Sequence, residues 1–294
     1  MAYPSVDAPY GFKPINRLDG LPYAGATRQI PIANAYASNI FYGDVVQISG
    51  GTVVRSSYTP ATNPTTPIAG TIGVFMGCSY TSPATGQKLF SQYYPASTAA
   101  NDIMAFVVDD PRALFKAVVT TQSTSLANTS TTVGYLNPYY VGSNLYQIGG
   151  GGGVTGSTTT GDSAFSVSGG VITSGTAGAG DRVTSALPFR MVGVVPETAV
   201  VLSGTGSTSG SSTTVTLTAA VTGLKPGMQL ICPTGTGTLA GNYVTVINVS
   251  TTTLTVSGSG VTLASGSALS FVGYPEVLVA WNGNFHSYNN TTGV

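Results

Sequence analysis

Thr213-Thr-Val-Thr-Leu-Thr218 and Val244-Thr-Val-Ile-Asn-Val249 alternate polar and aliphatic side chains almost residue by residue. A period of two puts each set on its own face of a pleated strand, so both runs read as half-buried β-strands. They lie in a segment, Thr198 to Pro275, that holds a single charged residue, Lys225. Thr, Ser, Gly and Val make up most of the rest. The surface built from it must consist of hydroxyls and backbone, presented by short strands and Gly-rich turns. Catalytic surfaces normally concentrate ionisable groups. This surface is chemically suited to packing and contact.

The same reading extends outward along the chain. Phe41-Tyr-Gly-Asp-Val-Val-Gln-Ile48, the turn Ser49-Gly-Gly51 and Thr52-Val-Val-Arg55 predict a hairpin. The run from Ile68 to Tyr80 carries interior glycines, which fit a bent or bulged strand. Lys88–Tyr94, Ile103–Val108, Leu187–Val195 and Tyr274–Trp281 add further strands. Helix signals are nearly absent, because Gly 39 and Pro 17 interrupt most windows in which a 3.6 period could build. Asp110-Pro111 predicts one capped helical turn before a strand over Val118–Thr121. The predicted fold class is all-β, an antiparallel β-barrel or sandwich with an extended N-terminal arm and a small inserted β domain.

Three regions follow. Residues 1–30 carry Pro4, Pro9, Pro14 and Pro22, with Pro31 just beyond, and read as extended, unpaired backbone. Such an arm either docks on another surface or wraps its own domain. Residues 31–198 plus 273–294 form the β-barrel or sandwich core, with 149–181 as a Gly-rich loop. Residues 199–272 form the inserted domain, with four to six strands and too little core to stand without its parent or a neighbouring subunit. Inside it, Leu224-Lys-Pro-Gly-Met228 predicts a type II turn and Thr234-Gly-Thr-Gly237 another turn.

Composition excludes several function classes. Charged residues are 7% of 294, against roughly 25% in ordinary soluble domains. Lys+Arg 10 and Asp+Glu 10 cancel, and no window clusters the basic residues that nucleic-acid binding needs. A neutral, weakly charged surface is poorly protected against association, so much of it is expected to be covered by copies of the chain or by a partner. Met1-Ala-Tyr-Pro-Ser-Val-Asp7 lacks the basic start and apolar stretch of a leader, and Met191–Val195 is too short to cross a bilayer, so no membrane partner is expected. Cys78 and Cys232 read as two buried free thiols, with a bridge as the alternative. Asn128-Thr-Ser130 and Asn248-Val-Ser250 are read as chance matches to the glycosylation pattern.

The search for chemistry is short. His286 is the only histidine and reads as a surface or packing residue beside Ser287, without triad geometry. No spacing matches a zinc site. Asp109-Asp110 is the only adjacent acidic pair; paired carboxylates can hydrolyse glycosides or hold calcium, but here they read as a turn. Asp19, Asp44 and Asp102 read as isolated turn residues. Gly235–Gly241 has the wrong spacing for a dinucleotide loop. No catalytic residue, metal or cofactor is expected. Tyrosine, at 16 copies, is favoured where surface becomes interface, and it would also stack on sugars. Tyr3, Tyr10, Phe12, Tyr23, Arg28, Tyr93 and Tyr94 form the candidate interface set.

Several short strings carry a family resemblance. They are Tyr10-Gly-Phe-Lys-Pro14, Gly25-Ala-Thr-Arg-Gln-Ile-Pro31, Phe41-Tyr-Gly-Asp-Val-Val46, Ile72–Tyr80, Phe90-Ser-Gln-Tyr-Tyr-Pro95, Val107-Val-Asp-Asp-Pro111 and Pro275-Glu-Val-Leu-Val279. Together they resemble capsid-associated structural proteins of tailed bacteriophages, marine and cyanobacterial ones above all. Thr213–Thr218 with Gly223-Leu-Lys-Pro-Gly-Met-Gln-Leu230 resembles small β modules of phage head and tail appendage proteins, an addition to the first pattern. The resemblance implies a capsid cement or decoration protein on the outer surface of the virion. Its partner would be the major capsid protein, and it would form a homo-oligomer, a trimer in preference to a dimer. A tail or head-fibre adhesin that contacts host glycans is the alternative, and an enzyme such as a glycan hydrolase is the third.

Overall fold

The computed structural model describes residues 8–59, 67–121, 141–150, 156–168, 186–195, 198, 201–231, 237–239, 244–257 and 261–290. Among the described residues twenty strands and two short 3-10 turns are defined, so the fold is all-β as predicted. Every strand pairing with a described register is antiparallel. The described residues divide into two compact units. One takes Pro9–Val118, 141–193 and 277–290; the other takes Ala8, 119–121 and 194–276.

The first unit holds two sheets. In one, β1 (Lys13–Arg17), β8 (Ala113–Thr121), β10 (Ser166–Ser168), β9 (Asn144–Ile148), β11 (Phe189–Val194) and β20 (Glu276–Trp281) follow in that order, and β20 also pairs with β8. Five of the six strands therefore close into a ring, with β1 attached to β8. Phe12, Phe115, Phe189 and Trp281 form its aromatic core; the Phe12 and Phe189 rings stack at 4.5 Å. The other sheet runs β2 (Arg28–Pro31), β7 (Met104–Val108), β5 (Thr71–Thr81), β3 (Val45–Ser49), β4 (Thr52–Arg55), with β6 (Lys88–Ser91) on β5. Ile30, Ile40, Val46, Ile72, Phe75, Tyr94 and Val107 fill its core. The predicted hairpin is β3–β4, and the predicted bending of the glycine-bearing strand shows as register shifts of β5 against both β3 and β7.

Three expectations for this unit need correction. From Pro9 onward the N-terminal segment is no unpaired arm: β1 pairs with β8 and β2 with β7. Its prolines are tolerated because Pro14 flanks a register shift and Pro31 ends its strand. Asp110-Pro111 starts no helix. Asp110 Oδ1 accepts from the Arg112 N–H at 2.8 Å and its carbonyl from Ala113, which closes a turn, and strand β8 begins at once. The Gly-rich stretch is part of the body where it is described, since Phe165 and Val167 are fully buried and β10 pairs with β9.

The second unit is built on β12 (Val201–Ser207), β13 (Thr214–Leu217), β14 (Gln229–Ile231), β15 (Gly237–Leu239), β16 (Val244–Ser250), β17 (Thr253–Val256), β18 (Val261–Leu263) and β19 (Ser267–Val272). Six of them close a barrel in the order β12-β13-β17-β16-β14-β19, and β15 pairs with β18. This exceeds the four to six strands expected. The module also has a core of its own, with Val215, Leu230, Val246, Leu254, Leu269 and Phe271 inside. Strict alternation explains it: each short strand sends about two aliphatic side chains inward, and closure leaves no edge to cover. The Pro226-Gly227 turn is as predicted. Gly227 sits at φ 92°, where a Cβ is disfavoured, and the Met228 N–H reaches the Lys225 carbonyl. The Thr234–Gly237 turn and Cys232 fall outside the described residues, apart from Gly237 itself, which opens β15.

Candidate interaction surface

The fold sorts the candidate interface residues sharply. Tyr3 lies outside the described residues. Phe12 and Tyr94 are corrected: both are fully buried, Phe12 in the aromatic core and Tyr94 with its hydroxyl donating to the Tyr36 carbonyl at 3.1 Å. Tyr93 is half-buried and stacks on Phe41 at 5.6 Å. Tyr10 is half-buried under two ammonium groups, Lys13 Nζ at 4.4 Å and Lys116 Nζ at 5.8 Å from its ring centre. Tyr23 is half-buried, and its phenol is pushed up by burial first and then by Tyr42. Arg28 is exposed but engaged within the chain. Its Nε lies 3.0 Å from Asp109 Oδ2, and its guanidinium sits 5.5 Å from the ring centre of Tyr288. The Tyr288 hydroxyl donates to the same carboxylate at 2.6 Å; burial, with Asp109 next, pushes that phenol up to about 12. Arg17 likewise bridges Asp19 and Asp110, each at 3.1 Å. The acidic pair therefore serves local ion pairs, which at this exposure add little stability.

His286 is a packing residue. It is fully buried against Trp281 and Tyr288, and its Nδ1 accepts from the Tyr288 N–H at 3.2 Å. Burial holds its pKa below the usual imidazole value, despite opposing pulls from Ile72, Asp109 and Asp110. Cys78 is free and buried, and burial pushes its thiol up to about 12, far from a reactive thiolate. Among the described residues no group of three or more His, Cys, Asp or Glu is arranged to hold a metal ion.

Two features escaped the sequence reading. The first is internal. Asp44, read as an isolated turn residue, is fully buried and joins three segments. Its Oδ2 accepts from the Phe41 N–H at 3.0 Å and faces Arg55 Nε at 3.4 Å, while Oδ1 accepts from Ser163 Oγ at 2.5 Å. Burial dominates and pushes its pKa up to about 6, against the opposing pull of Phe41, Ser163 and Arg55. The chain crowds tightly there: Gly11 sits at φ 80°, and a Cβ on it would come within 2.6 Å of the Gly43 carbonyl oxygen and 2.7 Å of Ser163 Cβ.

The second feature is external. Phe90 on β6 is 78% exposed, the most exposed large apolar side chain among the described residues, and its ring stacks on Phe106 of β7 at 6.3 Å. Leu89 beside it is exposed too. Strand β6 pairs only with β5 among the described residues, so its other edge offers unpaired backbone groups. An aromatic platform beside a free strand edge is a ready contact surface. Adjacent Leu89 and Phe90 break the period of two, and that break was the available signal.

No family model, curated protein or solved structure matches this chain.

Proposed function

We propose that this chain is a structural coat protein, a capsid cement or decoration protein of a tailed bacteriophage that binds the major capsid protein on the outer surface of the head. The observation that carries this reading is Phe90, bare on the edge of β6 and stacked on Phe106. Buried aromatic anchors dominate the energetics of protein contacts. The near-absence of charge supports it, since barrel strands of the second unit turn threonine hydroxyls such as those of Thr214, Thr216 and Thr253 outward. A shell repeats one contact many times, so each copy needs only a modest interface, and a homotrimer would give each copy several points of attachment. In this role the protein acts by binding alone, without a cofactor or a chemical step.

The test is the copy number per purified particle relative to the major shell protein. A fixed high ratio supports the reading. A handful of copies moves the protein to the tail or fibre, and absence from particles ends the structural reading. Phe90→Ala added to undecorated heads should fold normally and bind at least about thirtyfold more weakly, as expected for an interface aromatic worth more than about 2 kcal/mol.

A further inference from the structure

A pocket of about 330 Å³ opens in the first unit among β9, β11 and the 3-10 turn Gly283–Phe285, lined by Asn144, Arg190, Asn282 and Asn284 with Ala186, Gly283 and Phe285. Arg190 is the sole ionisable residue in that lining. Elsewhere the described cations are largely engaged: Arg17, Arg28, Arg55 and Lys88 face carboxylates, and Lys13 and Lys116 lie over Tyr10. Arg190 has no carboxylate partner among the described residues. It touches an amide relay instead. Its Nε donates to Asn144 Oδ1 at 3.5 Å, and Asn282 Nδ2 donates to that same oxygen at 2.8 Å. Asn282 is itself anchored by the Leu187 carbonyl at 2.7 Å and the Phe189 carbonyl at 3.3 Å.

The two asparagines are fixed to each other and to the backbone, and the exposed Arg190 touches them through the long Nε contact alone. The relay engages Nε and leaves the two terminal nitrogens of a planar guanidinium, the fork that grips a carboxylate with two parallel hydrogen bonds. Beside it Asn284 is exposed, and its amide offers both donors and an acceptor, a match for vicinal hydroxyls. The volume lies at the small end of ligand pockets. We propose that this pocket binds a carboxylate-bearing sugar of the uronic acid class, with Arg190 pairing to the carboxylate and Asn284 to ring hydroxyls. The inference is independent of the coat-protein reading: a decoration protein with this pocket would also touch acidic glycans, and a protein with another role would keep the site.

The chain contains its own reporter. Trp281, the only tryptophan, precedes Asn282 and packs at 4.5 Å on the ring of Phe189, which precedes Arg190. Its fluorescence should change saturably as sodium glucuronate is added to the full-length protein, and the response should weaken with added salt. Glucose should bind far more weakly. Arg190→Gln should weaken glucuronate binding roughly tenfold or more with an unchanged melting temperature, since the side chain is exposed; Arg190→Lys should keep only part of the affinity. Asn284→Ala should lower affinity for glucuronate without equalising it with glucose. Equal responses to glucose and glucuronate, or glucuronate binding untouched by Arg190→Gln, would overturn the assignment, as would the absence of saturation by calorimetry. Binding of a capped glutamate in preference to glucuronate would also overturn the sugar class and reassign Arg190 to an acidic side chain of a protein partner.

Discussion

Replacing Asp44 tests the internal architecture most directly. Asp44→Ala removes the acceptor for the Phe41 N–H and the Ser163 hydroxyl and takes the carboxylate away from Arg55, whose side chain is only 12% exposed. Breaking one side of a buried ion pair costs about 3–5 kcal/mol, a large share of the stability of any domain. Asp44→Asn separates the charge from the hydrogen bonds, because the amide can still accept from Phe41 and donate to Ser163. Its signature lies in pH. The wild-type carboxyl has its folded pKa raised to about 6 from 3.8, so the folded state holds the proton more tightly than the unfolded chain does. Its contribution is fully present below about pH 4 and is lost as pH rises to about 6, by at most about 3 kcal/mol. Burial of His286 acts in the opposite sense below its unfolded pKa, so the quantity to measure is the difference between wild type and Asp44→Asn. Urea unfolding followed by Trp281 fluorescence, which reports the unit containing Asp44, at several pH values from 4 to 7.5 supplies it. Wild type should lose stability relative to the variant across pH 4 to 6 and run parallel to it above. A flat difference, or a loss of less than about 1 kcal/mol in Asp44→Ala, would refute the buried-carboxylate account.

Other substitutions probe separate parts. Phe271→Ala, in the centre of the module's core, should cost about 3–5 kcal/mol by chemical denaturation. Gly227→Ala forces a Cβ onto a φ of 92° and should destabilise the same barrel by about 1 kcal/mol or more, read as a lowered denaturation midpoint. Tyr288→Phe removes the hydroxyl that Asp109 accepts; because the pair is exposed, the change should stay within about 1 kcal/mol while the phenol titration near pH 12 disappears from the ultraviolet spectrum.

What could be read from the sequence was whatever local chemistry decides. The β3–β4 hairpin follows from alternation around Gly50-Gly51, and the Pro226-Gly227 turn from the φ that only glycine takes without strain. What escaped depends on distant partners. Asp44 and Ser163 are 119 residues apart, and one serine among so many carries no mark of its buried role. Pro14 and Pro31 pointed to unpaired backbone, yet a register shift and a strand end accommodate them. Asp110-Pro111 is equally good grammar for a helix start and for a turn, and β8 decides between them by pairing immediately afterward. Phe12 and Tyr94 looked like surface anchors because aromatic residues serve both as anchors and as core, and only the packed fold separates the two uses. The pocket at Arg190 draws on segments around 144, 190 and 282, so no local pattern announces it.

The barrel of the second unit enters and leaves at one place. Val201 lies directly across from Val272 in the β12–β19 ladder, the Val195 N–H bonds the Glu276 carbonyl, and the strands on either side, β11 and β20, are sheet neighbours. The two ends of the barrel sequence, Val201 and Val272, are neighbours in one ladder, and closing a longer loop between such points adds little entropic penalty. The position is therefore a natural cassette site. An engineer could use the same junction to swap the barrel for a foreign domain, giving up the bond from Gln229 Nε2 to the Thr120 carbonyl.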